Sequence, residues 1–220
     1  MTRISLVLFA VALIAPASAR AVSIGLLDTF QDGTTQNWDV GGSNPTPPQN
    51  VAGGGPRGAA DAYMLLTADK QSSGGKRIVA NNSDQWSGDY LGPGVSAIVA
   101  DMNNFSGTEL HMRLALDGSG GTISIIEPVI LPPASGWTRV VLPLSVDEMT
   151  TVEGGTNVFA TLSSVSLVRI THRQTPGFSG DAVTATLGID NFRAVPEPSG
   201  LVVVCTCGLA LRRRRWRFCA

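Results

Sequence analysis

Residues 108–117 read Thr108-Glu109-Leu110-His111-Met112-Arg113-Leu114-Ala115-Leu116-Asp117. Leu110, Met112, Leu114 and Leu116 fall on one phase of a two-residue repeat, and Glu109, His111 and Arg113 on the other. Successive side chains of a strand point to opposite faces, so this pattern predicts a strand with one face on a core. The same reading extends outward in both directions. Residues 94–103 contain the nearly unbroken apolar run Val95-Ser96-Ala97-Ile98-Val99-Ala100, which suits a strand covered on both faces. Residues 137–144 place Val140, Leu142 and Leu144 on one side. Further strands are predicted at 25–30, 63–68, 76–81, 165–173 and 183–192.

Turn signals punctuate these pieces. They include Asp32-Gly33, Gly53-Gly54-Gly55-Pro56, Gly92-Pro93-Gly94, Gly118-Ser119-Gly120-Gly121, Gly154-Gly155 and Pro176-Gly177. No core segment keeps a helical apolar period for three turns, and the single helical candidate is a turn near 146–150. The stretch 44–48 reads as a loop. Short strands separated by Gly- and Pro-rich turns predict an all-β antiparallel sandwich of eight or more strands.

The two ends read differently from the middle. Residues 1–19 carry one basic residue, Arg3, then an apolar stretch, then Ala17-Ser18-Ala19. This is the pattern of a secretory signal peptide, with cleavage expected after Ala19 or, through Ala19-Arg20-Ala21, after residue 21. At the other end, Val195-Pro196-Glu197-Pro198 precedes an apolar run over 199–211 and then Arg212-Arg213-Arg214-Arg215. The run would span roughly 20 Å as a helix, short of the roughly 30 Å bilayer core. Snorkelling arginines would extend its reach, and the positive-inside rule keeps them cytoplasmic.

This Pro-Glu-Pro, apolar run and arginine cluster resembles the PEP-CTERM sorting signal of Gram-negative bacteria. The resemblance implies export, transient membrane residence through a C-terminal transmembrane helix, and processing by an exosortase-type membrane protease. It implies delivery to the cell surface or extracellular matrix. The expected organisation is a signal peptide (1–19, or to 21), a β-sandwich domain (22–194) and a sorting signal (195–220). Within the last, Val195, Pro196, Glu197 and Pro198 form the motif, 199–211 the hydrophobic helix, and 212–220 the basic tail whose Arg212, Arg213, Arg214 and Arg215 set orientation.

Charge and cysteine follow the same division. Six of the 16 basic residues lie at the two ends, leaving ten against 17 acidic residues and a net charge of −7 between Arg20 and Glu197. No basic patch exists there to neutralise phosphates, which argues against a nucleic-acid partner. All three cysteines (Cys205, Cys207, Cys219) lie in the tail, so the exported domain uses no disulfides.

Leu27-Asp28-Thr29-Phe30-Gln31-Asp32-Gly33, with Trp38 after it, resembles the opening strand of jelly-roll modules of the galactose-binding or carbohydrate-binding type. Ile189-Asp190-Asn191-Phe192 is similar to their closing strand, which lies near the first. The resemblance implies a structural Ca²⁺ held by Asp28 and Asp190, with Gln31 or Asp32 as helpers. Gln31 stands where the family usually has Glu, and Asn191 where it often has a second Asp. Both departures remove charge from a site that wants six to eight oxygens. Sugar binding needs aromatic faces beside polar groups. Trp86 and Tyr90 are the candidates, in a polar segment with Asp84, Gln85 and Asp89; Trp38, Tyr63 and Trp137 are further options, with Trp38 and Trp137 read chiefly as core or rim.

No enzyme motif is present: no G-x-S-x-G elbow, no H-E-x-x-H helix and no Walker loop. The two histidines, His111 and His172, read as polar-face strand residues. A glycoside hydrolase needs two carboxylates about 5 to 9.5 Å apart, and no tight acidic strand motif supplies them. The sequence therefore predicts an exported, non-enzymatic β-sandwich on the cell surface. The alternative is a carbohydrate-binding module docking on exopolysaccharide, and a glycoside hydrolase has the least support.

Overall fold

A computed structural model describes residues 22–42, 44–155 and 157–196. The expected signal peptide, Glu197, Pro198, the hydrophobic helix and the arginine cluster lie outside the described residues. Among the described residues twelve strands form two antiparallel sheets around one core.

The first sheet contains β1 (Leu27–Asp28), β2 (Gln49–Val51), β3 (Tyr63–Ala68), β5 (Val95–Asn104), β9 (Trp137–Pro143) and β12 (Ala185–Pro196). Their order is β2-β3-β12-β5-β9, with β1 pairing the far part of β12. The second sheet contains β4 (Val79–Asn82), β6 (Leu110–Gly118), β7 (Gly121–Ile125), β8 (Val129–Leu131), β10 (Met149–Glu153) and β11 (Val165–His172). Their order is β10-β7-β6-β11-β4, and β8 pairs the start of β6. The domain is an antiparallel β-sandwich, as the alternation predicts.

The inner phases of both sheets meet in the core. Met64, Leu66, Ile98, Met102, Leu187 and Ile189 come from the first sheet, and Leu110, Met112, Leu114, Leu116, Ile123 and Ile170 from the second. β5 lies between β12 and β9, and this central position accounts for its apolar run. The expected first-to-last strand contact is present: Leu27 pairs with Arg193 and Asp28 with Phe192. β12 includes Val195 and Pro196, opposite Ala97 and Val95 of β5, so strand pairing runs through the first two residues of the expected sorting motif.

A bulge in β12 decides which side chains reach which face. Asp190 pairs with Asp101 and Arg193 with Val99, so three steps on β12 match two on β5. The extra residue is Asn191, held at φ 50°. Such a bulge inverts the alternation beyond it. Ile189 and Phe192 both point into the core, whereas Asp190 points to the outer face.

A 3₁₀ turn forms at Val146–Glu148, within the expected helical stretch. A second short helix, α1 (Val158–Leu162), has no counterpart in the sequence pattern. One and a half turns are too short to show a period. Asn157 caps it by accepting from the Ala160 N–H, and Thr161 Oγ1 ties it to the β6–β7 hairpin by donating to Gly121 O at 2.7 Å. Among the described residues no helix is long and apolar enough to cross a membrane.

Arg113 and His172 depart from their expected polar, surface positions. Arg113 is on the outer phase of β6 yet is 2% exposed, because the segment after β11 folds across it. Its guanidinium donates to the carbonyls of Arg173, Ile125, Ile126 and Gln174. His172 is buried at the end of β11, on the phase of Ile170, and its Nδ1 accepts the His111 backbone N–H at 2.9 Å. Burial pulls its pKa below the usual histidine value, against the opposing field of Asp181.

Candidate functional site

The predicted sugar-contact pair belongs to the core. Trp86 and Tyr90 are both fully buried and present no face to a ligand. Trp86 sets its ring edge-on to Phe192, with centroids 4.6 Å apart, and gives its indole N–H to Asp28. The Tyr90 hydroxyl donates to Trp86 O at 2.7 Å. Their polar neighbours in sequence made this segment resemble a loop. In the structure its aromatic rings fold inward into the core. Trp38 is buried too, 4.9 Å from Phe192.

The predicted calcium pair is likewise separated. Asp28 shares the inner phase of Phe192, and Asp190 lies beyond the bulge on the outer face. Asp28 Oδ2 accepts from Trp38 Nε1 at 2.8 Å, Trp86 Nε1 at 2.6 Å and Gln85 Nε2 at 3.1 Å. Burial raises the Asp28 pKa, and these three donors oppose the rise. A carboxylate surrounded by N–H donors is poorly arranged for a cation, which needs converging oxygens. The expected helpers are engaged as well. Asp32 accepts from Thr34 and Gln36, and Gln31 donates to Asp61 Oδ1 and Ala62 O. Asp28 and Asp190 therefore face opposite sides of the first sheet. Among the described residues no group of three or more His, Cys, Asp or Glu is placed to share a metal ion.

A different group of residues converges on the outer face of the first sheet. Tyr63 of β3, Trp137 of β9 and Phe105, just after β5, come together above Gly188 of β12. Tyr63 and Trp137 are edge-to-face at 5.1 Å, and Phe105 lies 6.1 Å from each. Gly188 makes this convergence possible. A Cβ there would stand 2.8 Å from Trp137, 2.9 Å from Phe105 and 3.2 Å from Tyr63. Trp137 is fixed from the side by Nε1 donating to Gly54 O at 2.9 Å. Phe105 is 44% exposed, which leaves an apolar ring open to solvent.

Polar groups flank the rings on the same face. Asp101 pairs across the strands with Arg139, which donates from Nε at 3.1 Å and from its terminal nitrogen at 3.3 Å. Asn191 bridges Asp101 and Asp190, at 2.8 and 3.0 Å. Asp190 is fully buried, and its Oδ1 has no hydrogen-bond partner among the described residues. Burial pushes its carboxyl up to about 6, with Asp61 and Asp101 adding to the rise and Asn191 and Arg57 opposing it. Arg57 in turn holds Asp61 by a 2.9 Å ion pair. Aromatic faces beside paired carboxylates and guanidiniums can stack on an apolar ring face and hydrogen-bond the hydroxyls around it.

Of this group the sequence reading named Trp137 and Tyr63 as options and read Trp137 chiefly as core or rim. It missed Phe105, Asp101, Arg139 and Gly188. One signal was present. Val140 and Leu142 mark the inner phase of β9, so Trp137, Arg139 and Val141 must share the outer one.

No protein-family model matches the chain, and no curated protein matches it. Solved structures match it in fold. An exo-β-agarase superposes with a TM-score of 0.53 at 13% identity, over 80% of this chain and 25% of its own. A second agarase gives 0.52 at 13% identity, over 80% and 24%. A family 11 carbohydrate-binding module from Clostridium thermocellum, solved in complex with a β-1,3-1,4-mixed-linked tetrasaccharide, gives 0.50 at 13% identity, over 79% and 97%. The chain thus spans about a quarter of the length of the agarases it resembles and nearly all of the module. The domain is a jelly-roll β-sandwich of the kind seen in carbohydrate-binding modules.

Proposed function

We propose that this protein is an exported, non-catalytic carbohydrate-binding module that docks on extracellular polysaccharide through the outer face of its first sheet. The observation that carries the reading is the convergence of Tyr63, Phe105 and Trp137 over Gly188, next to the Asp101–Arg139 pair. Stacking on such rings contributes through buried apolar area, and the flanking polar groups supply orientation. The likeness in fold to a module solved with a β-1,3-1,4-mixed-linked tetrasaccharide supports the same reading. Two of the fold neighbours are agarases, of which the matching part is about a quarter, and this is in keeping with a polysaccharide partner.

Delivery to that partner rests on the two ends of the sequence. In this reading residues 1–19 direct export, and Val195 to Pro198 with the following apolar run and arginines direct sorting. An exosortase-type membrane protease is the processing partner, and the membrane is occupied only in transit.

Affinity electrophoresis of the full-length chain in gels containing mixed-linked β-glucan or agarose tests the docking reading. Retardation by at least one polymer, lost in Trp137→Ala and kept in Ile130→Ala, is the expected result. Equal mobility of wild type and Trp137→Ala in every retarding gel overturns the assignment of this face. Release of reducing sugar by the purified chain overturns the non-catalytic role.

A further inference from the structure

The opposite side of the sandwich carries a cleft of about 190 Å³ on the outer face of the second sheet. Arg77 and Arg169 line it together with Gly42, Asn44, Ser179 and Gly180. That volume holds roughly six waters, enough for a compact anionic group and part of the unit bearing it. Both arginines are anchored through Nε: Arg77 donates to Gly180 O at 2.6 Å, and Arg169 to Asn81 Oδ1 at 2.6 Å. The Arg169 guanidinium also lies over the Phe178 ring, 3.7 Å from its centroid, and gives one bond to Phe178 O at 3.3 Å.

This anchoring leaves both terminal nitrogens of Arg77 and one of Arg169 without a hydrogen-bond partner among the described residues. Neither arginine is in an ion pair there; the ion pairs involve Arg57, His111 and Arg139. Two held guanidiniums with spare N–H groups in one cleft are unusual in a region whose net charge is −7. A guanidinium recognises planar oxyanions through paired N–H donors, and its attraction grows where water is partly excluded. Asn44 and Ser179 add polar groups that can meet hydroxyls beside the charge.

We infer that the Arg77–Arg169 cleft is a second binding site, which takes a uronate carboxylate of an acidic polysaccharide. It is independent of the aromatic face on the first sheet. A chain carrying both sites engages a neutral sugar surface on one side and an acidic strand on the other, and so can bridge two polymers.

The test uses the full-length chain and polygalacturonate, with its carboxyl-reduced neutral counterpart and inorganic sulfate as further probes. Gly42→Glu is the informative variant, because a Cβ there meets nothing within 4 Å and Gly42 does not occupy the left-handed region. Gly42 lines the cleft, so the new carboxylate is added at its wall without removing a side-chain contact. Arg77→Gln is the second variant, with thermal melting as the check on folding. Polygalacturonate is expected to bind with strong salt dependence, and about tenfold more weakly to either variant, since a like charge in such a contact costs more than a kcal/mol. Tail arginines attract a polyanion equally in wild type and Gly42→Glu, so the difference between the two reports the cleft alone. Unchanged affinity in Gly42→Glu, or equal binding of the carboxyl-reduced polymer, overturns the site. Stabilisation by sulfate without any binding of polygalacturonate overturns its assignment to a polysaccharide.

Discussion

Asp28 Oδ2 accepts the indole N–H of Trp86 at 2.6 Å, joining the first strand to a residue 58 positions later. The same oxygen accepts from Trp38, and both indoles pack against Phe192 of the last strand. A carboxylate that motif similarity marks as a metal ligand is here a polar pin inside an aromatic cluster. Its role is to satisfy two buried N–H groups at the place where the chain begins and ends the sandwich.

Asp28→Ala should therefore behave as a core mutation. It leaves two buried indole donors unpaired, at about 1–3 kcal/mol for each unsatisfied group, while the Gln85 amide keeps its bond to Gln36 O. A loss of roughly 3 kcal/mol or more is expected, and a fall in Tm of about 10 °C. Calorimetry with and without added Ca²⁺ checks it. A wild-type Tm that rises with Ca²⁺ and an Asp28→Ala Tm that does not would restore a metal role to this carboxylate.

Asp190 should make stability pH-dependent in a definite direction. Its folded pKa of about 6 lies above the ordinary 3.8, so the folded chain holds the proton more tightly than the unfolded one. The stabilising contribution is complete below about 3.8 and is lost as pH rises through 6. Asp190→Asn removes the ionisation. Its Tm should exceed that of wild type by a few degrees at pH 8, for roughly 1 kcal/mol, and the gap should close towards pH 4. A gap that widens towards low pH would show the opposite sign.

Gly188 should be required for the aromatic face rather than for the fold. In Gly188→Ala the new Cβ sits 2.8 to 3.2 Å from Trp137, Phe105 and Tyr63, and the rings must separate. Since Phe105 and Trp137 border solvent, they can move at small cost. A Tm within a few degrees of wild type and a polysaccharide affinity about tenfold lower are expected, read by calorimetric titration with the retarding polymer. Unaltered affinity would mean that the three rings do not act together.

Arg113 should be among the most sensitive positions in the second sheet. It supplies donors to four backbone carbonyls under a covering segment. Arg113→Met preserves much of the length but orphans those carbonyls. A loss of about 3 kcal/mol is expected, with faster proteolysis of the segment after β11. Denaturant unfolding followed by limited proteolysis measures both.

Intact mass of the protein recovered from its own host tests the reading of the two ends. Loss of the first 19 or 21 residues and of about the last 20 is expected. A C-terminus that still carries Arg212 to Arg217 would mean that the tail is an anchor and not a processed signal.

The alternation in 108–117, the apolar run in 94–103 and the exact span 63–68 of β3 were all legible, because burial on one face imposes a period of two on the residues themselves. The short strands β2, β8 and β10 and the helix α1 were not. Their few residues carry no period, and they exist because neighbours offer them hydrogen bonds. The candidate site was less legible still. Trp137 and Tyr63 could be named, but Phe105 and Gly188 stand 83 residues apart and meet only because β5 and β12 are neighbours in the sheet.

The sequence by itself determined the all-β class, the acidic and cysteine-free middle, and the distinct character of the two ends, since all three follow from composition and local period. Only the tertiary structure decided what each polar or aromatic residue does. Trp86 and Tyr90 lie in a polar stretch yet turn into the core, and Asp28 and Asp190 sit on strands that pair with each other yet face opposite sides. The reason is physical. One extra residue at Asn191, stabilised by the pairing around it, inverts the alternation of β12 and sends Asp190 outward while Phe192 joins Asp28 and the tryptophans within. A bulge of that kind is set by long-range register, and no local pattern specifies it.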